Sequence, residues 1–146
     1  MDMRHARFGD ISALVAFNGA VSKQEWQQIL NDPWITVTIA EDDSGWLGWV
    51  TYTVDELRQI VVRDDLWGSD LVAELYGEGY RHWRTAAIER ARAWVAEDDP
   101  LRGFLEAERW RPTGRTRRIP ARPHQFMTEL MLEPVAKPAS SREDDR

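Results

Sequence analysis

Apolar and polar positions change rhythm several times along the chain, and each change predicts an element. Residues 3–8 alternate weakly, as an edge strand does, and Asp10 stands as a helix cap before Ile11, Leu14 and Val15 at helical spacing. Asn18 and Gly19 stop that helix. Ser22 and Glu25 have the S-x-x-E capping-box form, and Trp26, Ile29 and Leu30 give a second helix its apolar face until Asn31, Asp32 and Pro33 end it. Over 34–40 the β-branched alternation of Ile35, Val37 and Ile39 predicts a strand. The Asp, Ser and Gly of 41–45 predict a hairpin turn into another strand over 46–54, and Glu56 opens the fourth.

The rest of the chain is arranged around 57–75, LRQIVVRDDLWGSDLVAEL. An apolar strand (Leu57, Ile60, Val61, Val62) runs through an acidic turn and Trp67-Gly68-Ser69 into a helix that opens at Ser69 or Asp70. Leu71, Val72, Leu75, Tyr76, Gly79 and Trp83 recur at spacings of three and four, carrying that helix to about Thr85. A fifth strand over 91–95, a short helix beginning near Pro100, a turn over 111–114 and closing strands over 116–119 and 125–132 follow. Two helices before the strand pairing and strand–helix alternation after it predict a mixed α/β sheet in one domain, 1–132. The tail, 133–146, is rich in Pro, Ser and charge and is expected to be disordered.

Composition narrows the classes of function. The 146 residues are 42% hydrophobic with eight Trp, enough for one core. There is no cysteine, hence no disulfide framework or thiolate chemistry, and no apolar run approaches the length of a membrane span, so a soluble, cytoplasmic protein without membrane attachment is expected. A net charge of −6 argues against nonspecific nucleic-acid binding and for cationic ligands such as amines. His5, His82 and His124 share no ligand spacing, so no metal site is expected.

A strand that feeds a helix N-terminus through a glycine-bearing turn gathers N–H groups where an anion, usually a phosphate, can sit. The stretch resembles the acyl-CoA pyrophosphate loop of the GNAT-type N-acetyltransferases, Gln/Arg-x-x-Gly-x-Gly/Ala between the fourth strand and the third helix. Trp67 takes the Gln/Arg place, Gly68 and Ser69 the variable pair, Asp70 the first Gly and Val72 the Gly/Ala. A second stretch, 91–117, is similar to the fifth strand, fourth helix and following turn of the same family. There Asp99 sits where Asn is usual, Phe104-Leu105-Glu106 replaces Phe-Tyr-Glu, and Arg109-Trp110 replaces Gly-Trp.

The resemblance implies a mixed, mostly antiparallel sheet of about six or seven strands flanked by about four helices. It further implies acyl transfer from acetyl-CoA to an amine of a small molecule or protein. The backbone of Val61 and Val62 would hold the pantetheine arm, and Trp67, Gly68, Ser69, Asp70, Leu71 and Val72 the pyrophosphate, with Asp99 near the cofactor and Glu56 as the base. Two departures bear on activity: Asp70 can cap the helix itself and repel phosphate, and Leu105, in the place of the family's acid Tyr, cannot donate a proton. Tyr76 and Tyr80 read either as substitutes for that acid or as core residues. The alternative function is a non-catalytic GNAT-like binding or structural module that has lost CoA binding. Its partner would dock on Trp67 or on the basic run Arg109, Arg111, Arg115, Arg117, Arg118 and Arg122, which otherwise reads as an edge strand guarded by charge. A homodimer stays open.

Overall fold

The computed structural model describes residues 1–119 and 122–135. Among them, seven strands form one sheet: β1 (Asp2–His5), β2 (Thr36–Asp42), β3 (Gly45–Tyr52), β4 (Glu56–Val62), β5 (Ala91–Ala96), β6 (Arg111–Ile119) and β7 (Arg122–Leu132), in the order β1-β2-β3-β4-β5-β7-β6. The helices among these residues are α1 (Ile11–Phe17), α2 (Lys23–Asn31), α3 (Asp70–Thr85) and α4 (Pro100–Ala107). The pairs β1–β2, β2–β3, β5–β7 and β6–β7 are antiparallel. β4 pairs with β5 in parallel through Glu56↔Arg92 and Leu57↔Ala93, which requires the long crossover that contains α3. The mixed, mostly antiparallel sheet is as expected. The chain divides into two compact units, Met1–Val54 with Arg58–Gly79, and Asp55–Leu57 with the chain from Tyr80 onward.

The first unit is built on Ile11, Leu14, Trp26, Val37, Ile39 and Trp49. Trp49 is its hub, meeting Phe17, Trp26 and Trp46 edge-on at centroid distances of 5.2, 5.7 and 6.5 Å. Its indole N–H donates to Gln59 Oε1 at 3.0 Å, so a buried polar atom is satisfied. The Ser22–Glu25 capping box forms as expected, each backbone N–H donating to the other's side chain at 3.1 Å. β2 differs from its expected alternation: Val37, Thr38, Ile39 and Ala40 are all buried, as in a strand covered on both faces. It also starts later, because Asp32 turns the chain by accepting from the N–H groups of Trp34 (2.8 Å) and Ile35 (3.2 Å). Trp34 is left 71% exposed, outside the core.

Asp10 precedes α1 but does not cap it. Its carboxylate accepts both terminal nitrogens of Arg4 at 2.9 Å and the Arg7 N–H at 2.8 Å, while Arg4 Nε reaches Glu41 at 2.9 Å. One guanidinium thus ties β1 to the entry of α1 and to β2. It holds the Asp10 carboxyl below its ordinary 3.8, with burial opposing. As pH falls the unfolded chain takes up this proton first. The contribution is therefore whole above about pH 4 and is lost as pH drops through the lower, folded value. Asp10→Asn should cost about 1 kcal/mol at neutral pH and flatten the acid side of a melting-temperature profile; an unchanged acid slope would remove the pair from this account.

In the second unit β5 forms where a strand was expected and alternates, Ala91, Ala93 and Val95 inward and Arg92 and Trp94 outward. Leu101, Leu105, Trp110, Leu130 and Leu132 complete this core, with Trp83 and Trp110 5.9 Å apart. α4 ends in a Schellman arrangement: Trp110 N–H donates to Leu105 O (3.0 Å) and Arg109 N–H to Glu106 O (3.1 Å). Arg109 takes the left-handed position at φ 74, where glycine is the easy residue, at a cost of about 1–2 kcal/mol. The turn expected over 111–114 lies instead inside β6, as a register shift between Pro112 and Thr116 around Gly114 at φ 93. Past β7, Arg90 pairs with Glu133 at 2.7 Å and Val135 is buried, its N–H on Glu89 O at 3.0 Å. The remainder of the expected disordered tail, 136–146, lies outside the described residues.

Candidate functional site

At the end of β4 the Arg63 N–H donates to Leu47 O on β3 at 3.0 Å. Strand backbone alternates, so Arg63 and Val61 face β3 while Val62 turns its N–H and C=O to the other side. The Val61 carbonyl sits against Gly48 of β3, in agreement. Of the two valines expected to offer backbone to a ligand, Val62 is the one whose groups face away from β3; both keep their side chains toward the interior, Val62 at 5% exposure.

A 3₁₀ turn over Asp64–Leu66 leads to half-buried Trp67 and to Gly68, whose φ of 89 requires glycine. Ser69 closes the loop. Its hydroxyl donates to Leu66 O at 2.6 Å and accepts from Leu71 N–H at 3.3 Å. Ser69 is therefore the cap of α3, whereas the exposed Asp70 carboxylate makes no hydrogen bond or ion pair among the described residues, correcting its expected capping role. Leu71 and Val72 point their side chains inward at 7% and 2% exposure and so can offer only backbone. Arg63, which the sequence reading passed over, is the single cation between residues 59 and 80, and it leans on Asp65 at 3.5 Å. Against it stand Asp64, Asp65 and Asp70, so the loop has net negative charge.

The second unit contains a cavity of about 310 Å³ on the outward face of its strands. Asp55 and Glu56 line it from the start of β4, Arg92 and Trp94 from β5, Glu129 from β7, and Arg115 and Arg117 from β6. The register explains the grouping: Glu56 lies opposite Arg92, and Trp94 opposite Glu129. Glu129 is only 2% exposed. Thr113 Oγ1 donates to it at 2.8 Å and Arg115 lies 3.6 Å away. Arg115 and Arg117 stack over Trp94, their guanidinium carbons 5.7 and 4.4 Å from the ring centroid. Glu56 is half-buried, and its carboxylate has no hydrogen-bond or ion-pair partner among the described residues.

Asp99, expected near a cofactor, accepts the Leu101 N–H at 2.9 Å and caps α4. Burial pushes its carboxyl up, the capping bond opposes this, and Asp98 adds to the rise. Leu105 is fully buried, and Tyr76 is buried at 6%, a core position. The sequence reading missed Arg92, Trp94 and Glu129. The outward alternation of Arg92 and Trp94 on β5 was the available signal, whereas Glu129 becomes visible only through strand register. Among the described residues no group of His, Cys, Asp or Glu could hold a metal ion, and no helix is long and apolar enough to cross a membrane.

No protein-family model and no curated protein matches the sequence. Solved structures do match the fold. A GCN5-related N-acetyltransferase from Rhodopseudomonas palustris superimposes with a TM-score of 0.76 at 12% identity, over 90% of this chain and 94% of that one. The chain has the GNAT fold. A protein described as a GNAT-family acetyltransferase, from Desulfovibrio desulfuricans, gives 0.72 at 17% identity over 92% and 99% of the two chains. The spermidine/spermine N-acetyltransferase SpeG from Vibrio cholerae gives 0.67 at 14% over 90% and 93%. The GNAT fold places β4 and the loop after it in the order that the sequence resemblance implied.

Proposed function

We propose that this chain is an acyl-CoA-dependent N-acyltransferase that acetylates an amine. The observation that carries the reading is Glu56: in a chain of GNAT fold, the residue marked as base lines a cavity with its carboxylate unpartnered. An ammonium that loses a proton to Glu56 becomes a nucleophile. Its nitrogen would then form the C–N bond to the acetyl carbon as the C–S bond breaks, and would release its second proton to water. The sulfur leaves with the bond's electron pair. A thiolate can depart without first being protonated, so a buried Leu105 is compatible with turnover and solvent can supply the final proton.

The backbone of Val62 and the loop from Trp67 to Val72, with Arg63 beside it, are assigned to acetyl-CoA. Acetylation of an amine is also the chemistry in the names of the structural neighbours, spermidine/spermine in the Vibrio protein.

Calorimetric titration of acetyl-CoA tests the reading. The parent chain should bind, and Asp70→Gly, which removes an unpaired carboxylate from the loop, should bind about fivefold tighter, with the gain shrinking in high salt. Binding by neither protein would end the acyl-transfer reading in favour of a GNAT-like module that has lost CoA. Binding by Asp70→Gly alone would show a cofactor site closed by a single carboxylate.

A further inference from the structure

The net charge of −6 points to a cationic ligand, as it would for a polyamine, yet the cavity of the second unit is not acidic. Three carboxylates and three guanidiniums line it, with Glu129 among the arginines and Arg92 across from Glu56. Asp55 and Glu56 stand together at the start of β4. Arg115 and Arg117 stand on β6, three strands away in the order β4-β5-β7-β6, roughly 14 Å by strand spacing. Arg92 lies between them, one strand from Glu56.

The pairing among these groups is incomplete in an informative way. Arg115 is engaged by the buried Glu129, which Thr113 fixes in place. Arg92 and Arg117 have no carboxylate partner among the described residues; Arg117 has only the face of Trp94. At the opposite end the Glu56 carboxylate is likewise unpaired. A half-buried carboxylate without a partner at Glu56 and exposed guanidiniums without a carboxylate at Arg92 and Arg117 favour a ligand that brings an ammonium to the first and anionic groups to the others. A polyamine would satisfy Glu56 but would place its remaining ammonium groups against two unpaired guanidiniums.

We propose that the acceptor is an amino acid, an acidic one such as glutamate in preference to a neutral one, with its carboxylates received by Arg92 and Arg117 and its amine by Glu56. This rests on the acyltransferase reading for the chemistry, but the charge preference belongs to the cavity and is measurable without turnover. Arg92 is then a residue that sets specificity, one strand from the base.

Glutamate and spermidine titrated separately into the full chain, with and without CoA, read the preference directly by calorimetry. Glutamate should bind at least about tenfold tighter than spermidine, and Arg92→Gln should weaken glutamate roughly tenfold without weakening spermidine. The exposed position of Arg92 leaves the fold intact, which circular dichroism checks. Tighter binding of spermidine, no binding of glutamate, or an Arg92→Gln variant that binds glutamate like the parent would each overturn the inference. An acetylation assay with the same two amines separates the two readings. Glutamate that binds but is never acetylated, with acetyl-CoA present, leaves the amino-acid pocket standing and removes the acyltransferase; acetylated spermidine with glutamate untouched does the reverse.

Discussion

Replacing Glu56 by Gln should lower kcat for acetyl transfer by about a hundredfold while leaving acetyl-CoA affinity and melting temperature close to those of the parent. Gln keeps the shape of the side chain and loses only the ability to accept a proton. Because Glu56 makes no hydrogen bond or ion pair among the described residues, its exchange breaks no structural contact, and a loss of rate reports chemistry. Single-turnover rates of the two proteins at saturating acetyl-CoA provide the check. A variant with the parent's kcat would take Glu56 out of the mechanism.

Gly48→Ala should be the most damaging single methyl group in the first unit. A Cβ there would lie 2.9 Å from both the Cα and Cγ1 of Val62, and closer still to the Val61 carbonyl oxygen. Backbone cannot step aside as the end of a side chain can, so β3 and β4 would have to separate. Overpacking of this kind costs about 3 kcal/mol, a large part of the 5–15 kcal/mol that holds a typical domain. Gly103→Ala is the control. Gly103 lies within α4 with nothing within 4 Å of its would-be Cβ, so alanine should stabilise by up to about 1 kcal/mol through helix propensity. Thermal melts of both variants decide the matter, and equal shifts would refute the close approach. Since Gly48 abuts the residues assigned to acetyl-CoA, its variant should also bind that ligand more weakly at temperatures where it remains folded.

The elements were legible where local rules act alone. The Ser22–Glu25 box, the stripe of α3 and the start of β4 at Glu56 each follow from neighbours in sequence. Expectations failed where a distant partner competed. Asp10 has the chemistry of a cap, but an Arg4 fork outbids one backbone N–H; the Pro-Thr-Gly of β6 has the chemistry of a turn, but pairing with β7 absorbs it as a bulge. In the candidate site Glu56 could be picked out because its role attaches to a strand start. Glu129 could not, since its burial and its place opposite Trp94 depend on the register of two strands that pairs residues 94 and 129. The loop shows the same division: Gly68 was visible as a turn residue, while the division of labour between Ser69 and Asp70 depended on which oxygen reached the Leu71 N–H.

The Arg4 tie has a consequence for how the protein would fail in acid. β1 is four residues long, and the fork to Asp10 and Glu41 reinforces its short ladder along the outer side of β2. Once Asp10 is protonated, β1 is the piece most easily lost, ahead of the tryptophan-centred core behind it. Its departure bares the edge of 36–40, TVTIA, an uncharged and mostly β-branched run. A run of that composition with open N–H and C=O groups recruits the same run from a second molecule. Acid should therefore carry this protein toward strand-joined aggregates seeded at β2 before it yields a population of separate unfolded chains.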